Sequence, residues 1–243
     1  MDRWSNVKQF GPPVHICQND AMATPTTRRP RRADALSRER IVEAAIEILD
    51  RNGEQALTVR ALTSHLSTGR GAIYYHVSGM DDLLAAAADG VIGAATEQAA
   101  GDGDPISAIR GLSLGIFDAI DAHPWVGSQL AREPLQPAVS RIWKSIGVQL
   151  QGLGVVGSAA SDAGAALANY IFGSAAQFAA GARRTRNQAE RQRYLDALAA
   201  AWTEQDAGQV VREAASELRD HDDRHQFLAG VDIFLNGIAT RAK

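Results

Sequence analysis

The chain has 243 residues, of which 45% are hydrophobic, so it is long enough for one or two domains with a sizeable core. A single cysteine, Cys17, excludes an internal disulfide framework and favours a reducing compartment. No apolar run is long enough for a membrane span and the first residues lack the apolar core of a signal peptide, so a cytoplasmic protein is predicted.

Charge is distributed unevenly along the chain. The formal net charge of −3, taken alone, argues against a nucleic-acid binder. Residues 1–80, however, carry 11 Lys and Arg against 8 Asp and Glu, a balance of +3. Residues 81–243 carry 14 against 20, a balance of −6, and the two balances sum to −3. A basic front end on an acidic body is typical of a DNA-binding head joined to a separate regulatory body.

The first stretch, residues 1–26, shows no hydrophobic periodicity, and Gly11, Pro12 and Pro13 would break a helix. We predict that this stretch is disordered and, with the residues up to 33, forms a tail and basic arm. Met22 lies within it, and we hypothesise that translation begins there rather than at Met1.

A cluster of arginines follows: Arg28, Arg29, Arg31 and Arg32 surround Pro30, which keeps the backbone extended. Two interpretations stay open. The cluster is either a solvated basic tail or an arm that lies along DNA phosphates or in the minor groove.

Three short helices are predicted next, within a head of residues 34–95. Ser37 caps the first helix, and Gly53 ends it in the left-handed region. Thr58 caps the second, and the break at residues 67–69 separates it from a third helix over residues 70–77. The predicted core of this head is Ile41, Ala45, Ile46, Leu49, Leu57, Val59, Leu62, Leu66, Ile73 and Val77.

The third helix is better suited to a DNA major groove than to a protein core, because an arginine opens it and hydroxylated aromatics follow. Arg60 and Arg70 are the predicted base readers, since a guanidinium can donate to two acceptors of guanine. Ordinary surface arginines are the alternative. The remaining predicted DNA-binding residues are Thr58, Gly71, Ala72, Tyr74, Tyr75 and His76. The small side chains of Gly71 and Ala72 allow the helix to approach the bases closely, and the polar tips of the two tyrosines and the histidine reach phosphates. For Tyr74, half-buried packing is the alternative.

The segments LTVRAL and AIYYHVSGMDDLL together resemble the helix-turn-helix of the TetR family of bacterial transcriptional regulators, most closely its tetracycline-repressor branch. The similarity is strong over residues 38–95 and returns weakly in DDRHQFLAGVDIFLNGIAT; the segment from Met22 also resembles a natural start for the family. Two positions depart from the family pattern. Ser67 replaces the usual turn glycine, and we expect Gly69 to absorb this change. Met80 replaces a lysine that contacts phosphate, so that contact is expected to be missing or made by another residue.

The rest of the chain is predicted to be helical, so the fold class is all-α: a three-helix head followed by a larger bundle over residues 96–243. The segment 210–219 is read as either a short helix or a mobile segment. The predicted helices after the head cover residues 83–100, 106–122, a short helix from about Trp125, 138–152, 158–184, 188–202, 210–219 and 223–241.

Within this body, aromatic and amide side chains suggest a ligand cavity, although an aromatic stripe is more often core. The candidate ligand-binding residues are Phe117, Trp125, Trp143, Asn169, Tyr170 and Gln177. His221 and His225 have a spacing that would suit a metal within a helix, but a helix starting at residue 223 excludes His221. No catalytic arrangement and no cofactor is predicted.

The resemblance implies a homodimer that binds a palindromic operator in double-stranded DNA and responds to an unknown small-molecule effector. It also implies a dimer built as a four-helix bundle from the long Ala-rich helix and the last helix of each subunit. The segment His123-Pro124-Trp125 resembles a junction in the family's regulatory domain. The alternative is a helical small-molecule-binding protein or enzyme whose head no longer binds DNA.

Overall fold

A computed structural model describes residues 36–99, 104–133, 135–185 and 187–241. Over these ranges the chain forms eleven α-helices and a single 3-10 turn, with no strand, so the predicted all-α class is confirmed. None of the described helices combines the length and apolar character needed to cross a membrane. The arginines predicted to form a basic arm, and the tail before them, lie outside the described residues.

The head consists of α1 and the two short helices that follow it. Ser37 Oγ accepts a hydrogen bond from Arg40 N at 3.3 Å, and Thr58 Oγ1 accepts one from Ala61 N at 3.1 Å, so both predicted caps are present. Gly53 closes α1 with a φ of 76°. The elements are α1 Arg38–Asn52, the 3-10 turn Glu54–Ala56, α2 Val59–His65, α3 Arg70–His76 and α4 Met80–Ala99.

The core of the head uses a slightly different stripe of α1 from the one predicted. Ala44 and Ile48 are buried, whereas Ile46 is only partly buried and packs toward the body. The buried residues of α1 are spaced three and four positions apart, as expected for one helix face that packs against the core. The buried members of the head core are Ile41, Ala44, Ala45, Ile48, Leu62, Ile73, Val77 and Leu83. Leu57, Val59 and Leu66 are partly buried.

The turn between α2 and α3 contains a residue in the left-handed region. Ser67 has a φ of 50°, the one positive φ outside glycine among the described residues. Gly69 has a φ of −90° and a ψ of 157°, which is extended backbone that caps α3. The expectation that Gly69 absorbs the missing turn glycine is therefore wrong, because Ser67 itself adopts the conformation that glycine usually supplies.

Replacing Ser67 with glycine is expected to raise the free energy of unfolding by about 0.5–1 kcal/mol, because the left-handed backbone no longer strains a Cβ atom. Urea titration followed by circular dichroism measures this change. Ser64→Gly is the matched control: Ser64 lies within α2, where glycine lowers stability by about 0.5–1 kcal/mol. A destabilised Ser67→Gly variant would contradict the argument.

Seven helices and most of α4 form the body, since Leu84, Ala87 and Ile92 of α4 lie in its core. The predicted helices are all present, and residues 210–219 are helical rather than an irregular segment. The head–body boundary predicted at residue 95 lies within α4, which contributes to the cores of both parts. The body helices are α5 Pro105–Ala122, α6 Trp125–Arg132, α7 Pro137–Gly152, α8 Gly157–Ala182, α9 Gln188–Gln205, α10 Gln209–Arg219 and α11 Asp223–Arg241.

The helices α5, α8 and α11 meet around an aromatic cluster. Phe227 is fully buried, with its ring centroid 4.8 Å from that of Phe117 and 5.7 Å from that of Tyr170. The Tyr170 hydroxyl donates to the Phe227 carbonyl at 3.0 Å, and burial raises the pKa of that hydroxyl. A Cβ at Gly230 would overlap the Tyr170 hydroxyl, so glycine is required there for α8 and α11 to approach.

Candidate nucleic-acid interface

The first turns of α2 and α3 each present a cationic side chain to solvent. Arg70 is the first residue of α3, Arg60 lies in the first turn of α2, and both are exposed. Neither guanidinium forms an ion pair or a hydrogen bond with any residue that the structure describes. Each therefore keeps its full donor set for a ligand, and a bidentate contact with guanine uses two of those donors.

The rest of α3 is divided between an anchoring face and an open face. Ile73 and Val77 are 0% and 3% exposed and fix the helix on the head core. Tyr74 and Tyr75 are 54% and 85% exposed, so Tyr75 lies open to solvent and about half of the Tyr74 surface does. The His76 ring is partly buried and lies edge-on to Tyr75, with 5.0 Å between their centroids. The phenol groups are thus free to meet phosphates.

Small residues keep the start of α3 accessible. A Cβ added at Gly71 would meet no atom within 4 Å, so no packing contact inside the chain requires glycine there. Ala72 is partly buried, and its amide donates to the Gly69 carbonyl. The Thr58 side chain is committed to capping α2, which orients the first turn that carries Arg60. The surface around Arg70 is open to an approaching double helix.

The end of α3 is tied to the first helix through Asp82. Its Oδ1 accepts from Arg38 at 3.2 Å and its Oδ2 accepts from Ser78 N at 3.1 Å, so one carboxylate caps α4 and holds α1. The cap also explains why α4 begins at Met80, three residues earlier than predicted. Met80 packs on the head core, so it has an apolar role where the family pattern has a phosphate-binding lysine.

Comparison with known proteins agrees with this geometry. Residues 41–87 match the family described as bacterial regulatory proteins, tetR family. The structure of the transcriptional regulator SCO7222, a TetR from Streptomyces coelicolor, shares 44% sequence identity over 86% of this chain and 100% of that chain, with a TM-score of 0.77. The chain belongs to the TetR family.

This chain matches only part of the length of each of two curated relatives. An HTH-type transcriptional regulator of Saccharopolyspora erythraea is 33% identical over 144 residues, which is 57% of this chain and 59% of that protein. The HTH-type transcriptional repressor DrrR1 of Streptomyces coeruleorubidus is 33% identical over 104 residues, which is 42% of this chain and 38% of that protein. Both relatives are named as HTH-type transcriptional regulators or repressors.

Two polar contacts, which we call the head–body latch, join the head of this TetR-family chain to α6. Asp50 Oδ1, near the end of α1, accepts from Trp125 Nε1 and contacts His123 Nδ1, each at 2.8 Å. Arg132 donates to both carboxylate oxygens of Glu54 at 2.5 and 3.0 Å. The hydrogen bond from Arg132 lowers the pKa of Glu54, so this contact is complete at neutral pH and weakens as pH falls through the lowered pKa.

Replacing Asp50 with alanine is expected to lower the free energy of unfolding by about 1–3 kcal/mol, because the indole N–H of Trp125 loses its acceptor in a site where the ring is 6% exposed. Chemical denaturation measures the loss. Asp121→Ala, which removes an exposed carboxylate from α5, is expected to stay within about 0.5 kcal/mol of the parent. Equal stabilities of the two variants would show that the latch contributes nothing.

The six residues predicted to line a ligand cavity do not share any one of the clefts described, although Phe117 and Tyr170 both pack against Phe227 in the aromatic cluster. Phe117 and Trp125 are each 6% exposed within the body core, because the aromatic spacing that suggested a pocket is that of ordinary packing. Trp125 instead serves the latch. Asn169 is exposed, and Gln177 lines a cleft of about 710 Å³ beneath α9 and α10. The Tyr170 hydroxyl donates to the Phe227 carbonyl in α11. Trp143 is 38% exposed and packs against Gly164.

The two histidines near the start of α11 do not form a metal site. His221 precedes α11, and its Nε2 lies 2.7 Å from Asp223 Oδ1. No group of three or more potential ligands is found among the residues that the structure describes.

Proposed function

We propose that the protein is a homodimeric, DNA-binding transcriptional repressor that a small-molecule effector releases from its operator. The observation that carries the proposal is α3, a helix anchored by Ile73 and Val77 that presents an unpaired Arg70 and two exposed tyrosines. A helix of this kind after a tight turn is the recognition element of helix-turn-helix proteins, whose N-terminal residues meet base edges. The curated relative named as a repressor supports the sign of regulation.

Within this proposal the residues of the head divide by role. Arg60 and Arg70 read bases, because neither guanidinium is paired with any residue in the described ranges. The hydroxyls of Tyr74 and Tyr75 and the ring of His76 contact phosphates, which position the helix without reading sequence. The arginines at positions 28, 29, 31 and 32 add contacts to the DNA backbone.

The dimer is proposed to form through the outer faces of α8 and α11. An apolar cleft of about 640 Å³ lies between them and is lined by Val155, Ala163 and Phe234 among others. Two large apolar side chains, Val156 and Ile233, are 67% and 73% exposed at this face. Two copies related by a two-fold axis would cover these groups in a four-helix bundle and place their heads on palindromic half-sites.

Effector control is proposed to act through α4 and the latch. The α4 helix links the head core to the body, and Asp50 and Glu54 tie the head to α6. An effector that binds more tightly to the arrangement of heads that cannot fit DNA will release the operator. The structural elements for such coupling lie within one compact unit.

The test is selection of a duplex from a random-sequence library by the purified full-length protein, followed by titration at several salt concentrations. The proposal predicts an inverted repeat and affinity that falls steeply with salt, by roughly 0.9 log units per log unit of salt for each phosphate neutralised. A protein with a degenerate head would enrich no sequence. The two departures that suggested such a head have structural roles, since Ser67 forms the turn and Met80 packs the core.

A further inference from the structure

A third cleft, of about 440 Å³, lies between α4, α5 and α7, away from the proposed dimer face. Its apolar lining comes from Ala108 and Leu112 of α5, which are 8% and 2% exposed, and from Val148 of α7. The α7 wall is a single helical stripe: Arg141, Lys144, Ser145, Val148 and Gln149. The cleft therefore combines an apolar lining with a cationic wall, at a size that suits a small organic ligand.

Arg141 carries a hydrogen-bond donor that nothing in the described protein satisfies. Its Nη2 donates to both oxygens of Asp89 at 2.9 and 3.0 Å, while its Nε is buried without a partner. The guanidinium lies beside Gly93, where an added Cβ would be in ordinary van der Waals contact with its Cζ atom at 4.0 Å. The Arg141 side chain as a whole is 40% exposed, so a ligand in the cleft can approach the guanidinium and supply an acceptor.

The charges around the cleft define where that acceptor would lie. Lys144, one turn along α7 from Arg141, makes no ion pair with any residue in the described ranges. Asp89 offsets the positive charge of Arg141, and Glu97 lines the α4 side of the cleft. An anionic group is therefore favoured on the α7 stripe and disfavoured beside Glu97, with the apolar part of the ligand against α5.

We propose that this cleft binds an organic anion with an apolar body, whose acidic head accepts hydrogen bonds from Arg141 and interacts with Lys144. The inference rests on the proposed function in taking the cleft as the effector site. Because Arg141 is bonded to Asp89 of α4, an anion that competes for this guanidinium would act directly on the helix that carries the head.

The test compares two fluorescent probes that differ by one charge, anilinonaphthalene sulfonate and neutral anilinonaphthalene, titrated into the full-length protein without DNA. The anionic probe is expected to bind more tightly than the neutral one. Lys144→Gln is expected to weaken anionic binding about threefold and Arg141→Gln about tenfold, with little change for the neutral probe. Asp89→Asn is expected to tighten anionic binding about threefold, because Arg141 loses its competing carboxylate.

Arg183→Gln is the matched control, since it removes an exposed, unpaired cation at the end of α8 and should leave both probes unaffected. The opposite signs expected for Asp89→Asn and Lys144→Gln separate electrostatic recognition from loss of folding, which would weaken binding in both. Equal binding of the two probes, or equal effects of Lys144→Gln and Arg183→Gln, would overturn the proposal. A failure of operator selection, in contrast, would count against DNA binding and leave this result unchanged.

Discussion

Replacing Arg70 with alanine is expected to lower the affinity for the selected operator by about 10- to 100-fold, since a bidentate contact with a base is worth about 1–3 kcal/mol. The side chain is exposed and forms no contact that stabilises the described chain, so the fold and the dimer should be retained. Mobility-shift titration on the selected duplex measures the loss, and size-exclusion chromatography checks the assembly.

A scrambled duplex separates base reading from general electrostatics. If Arg70 reads a base, the variant loses more affinity for the selected duplex than for the scrambled one, and the salt dependence on the selected duplex changes little. A phosphate contact would instead weaken both duplexes alike and lower the salt slope by about one. Arg193→Ala, which removes an exposed cation from α9, is the control and should bind as the parent does. Unchanged operator binding by the Arg70 variant would count against the recognition role of α3.

The head was predictable from sequence because its determinants are local. Ser37 and Thr58 are typical helix N-cap residues, so both helix starts were predictable. Ile73 and Val77 lie four residues apart on one helix face, so the anchoring of α3 followed from their spacing. The turn was harder. The choice between Ser67 and Gly69 depends on which residue the packing of two helices forces to positive φ, and intrinsic preference favoured the wrong residue.

The contacts that join distant segments were not predictable in the same way. Asp50 and Trp125 are 75 positions apart, and Arg141 and Asp89 are 52 apart, so no periodicity connects them. The surroundings of the candidate ligand-binding residues were not predictable for a related reason: Phe117 and Trp125 have the composition of a pocket, but their burial is decided by neighbouring helices. A charged stripe on α7 at helical spacing was the available signal for the cleft that the structure contains.

Replacing Ile233 with aspartate is expected to convert the proposed dimer into a monomer at micromolar concentration and to abolish tight operator binding. Ile233 is 73% exposed in the single chain, so the charge should cost the subunit fold less than about 0.5 kcal/mol. In a two-fold interface each substitution occurs twice, and two carboxylates would be desolvated in an apolar bundle without partners. A monomer binds only one half-site, whereas in a dimer the second head binds its half-site at a high effective concentration once the first is bound.

Sedimentation analysis measures the assembly, and thermal unfolding by circular dichroism reports on the subunit. Val210→Asp is the matched control, because Val210 is 78% exposed on α10, outside the proposed interface, and receives the same charge. The control should remain dimeric and bind the operator. If Ile233→Asp remains a dimer, or if Val210→Asp dissociates as readily, the pairing of α8 and α11 is wrong. Binding of two heads to a palindrome would then require another dimer interface, because the spacing of the heads depends on which faces of the two subunits meet.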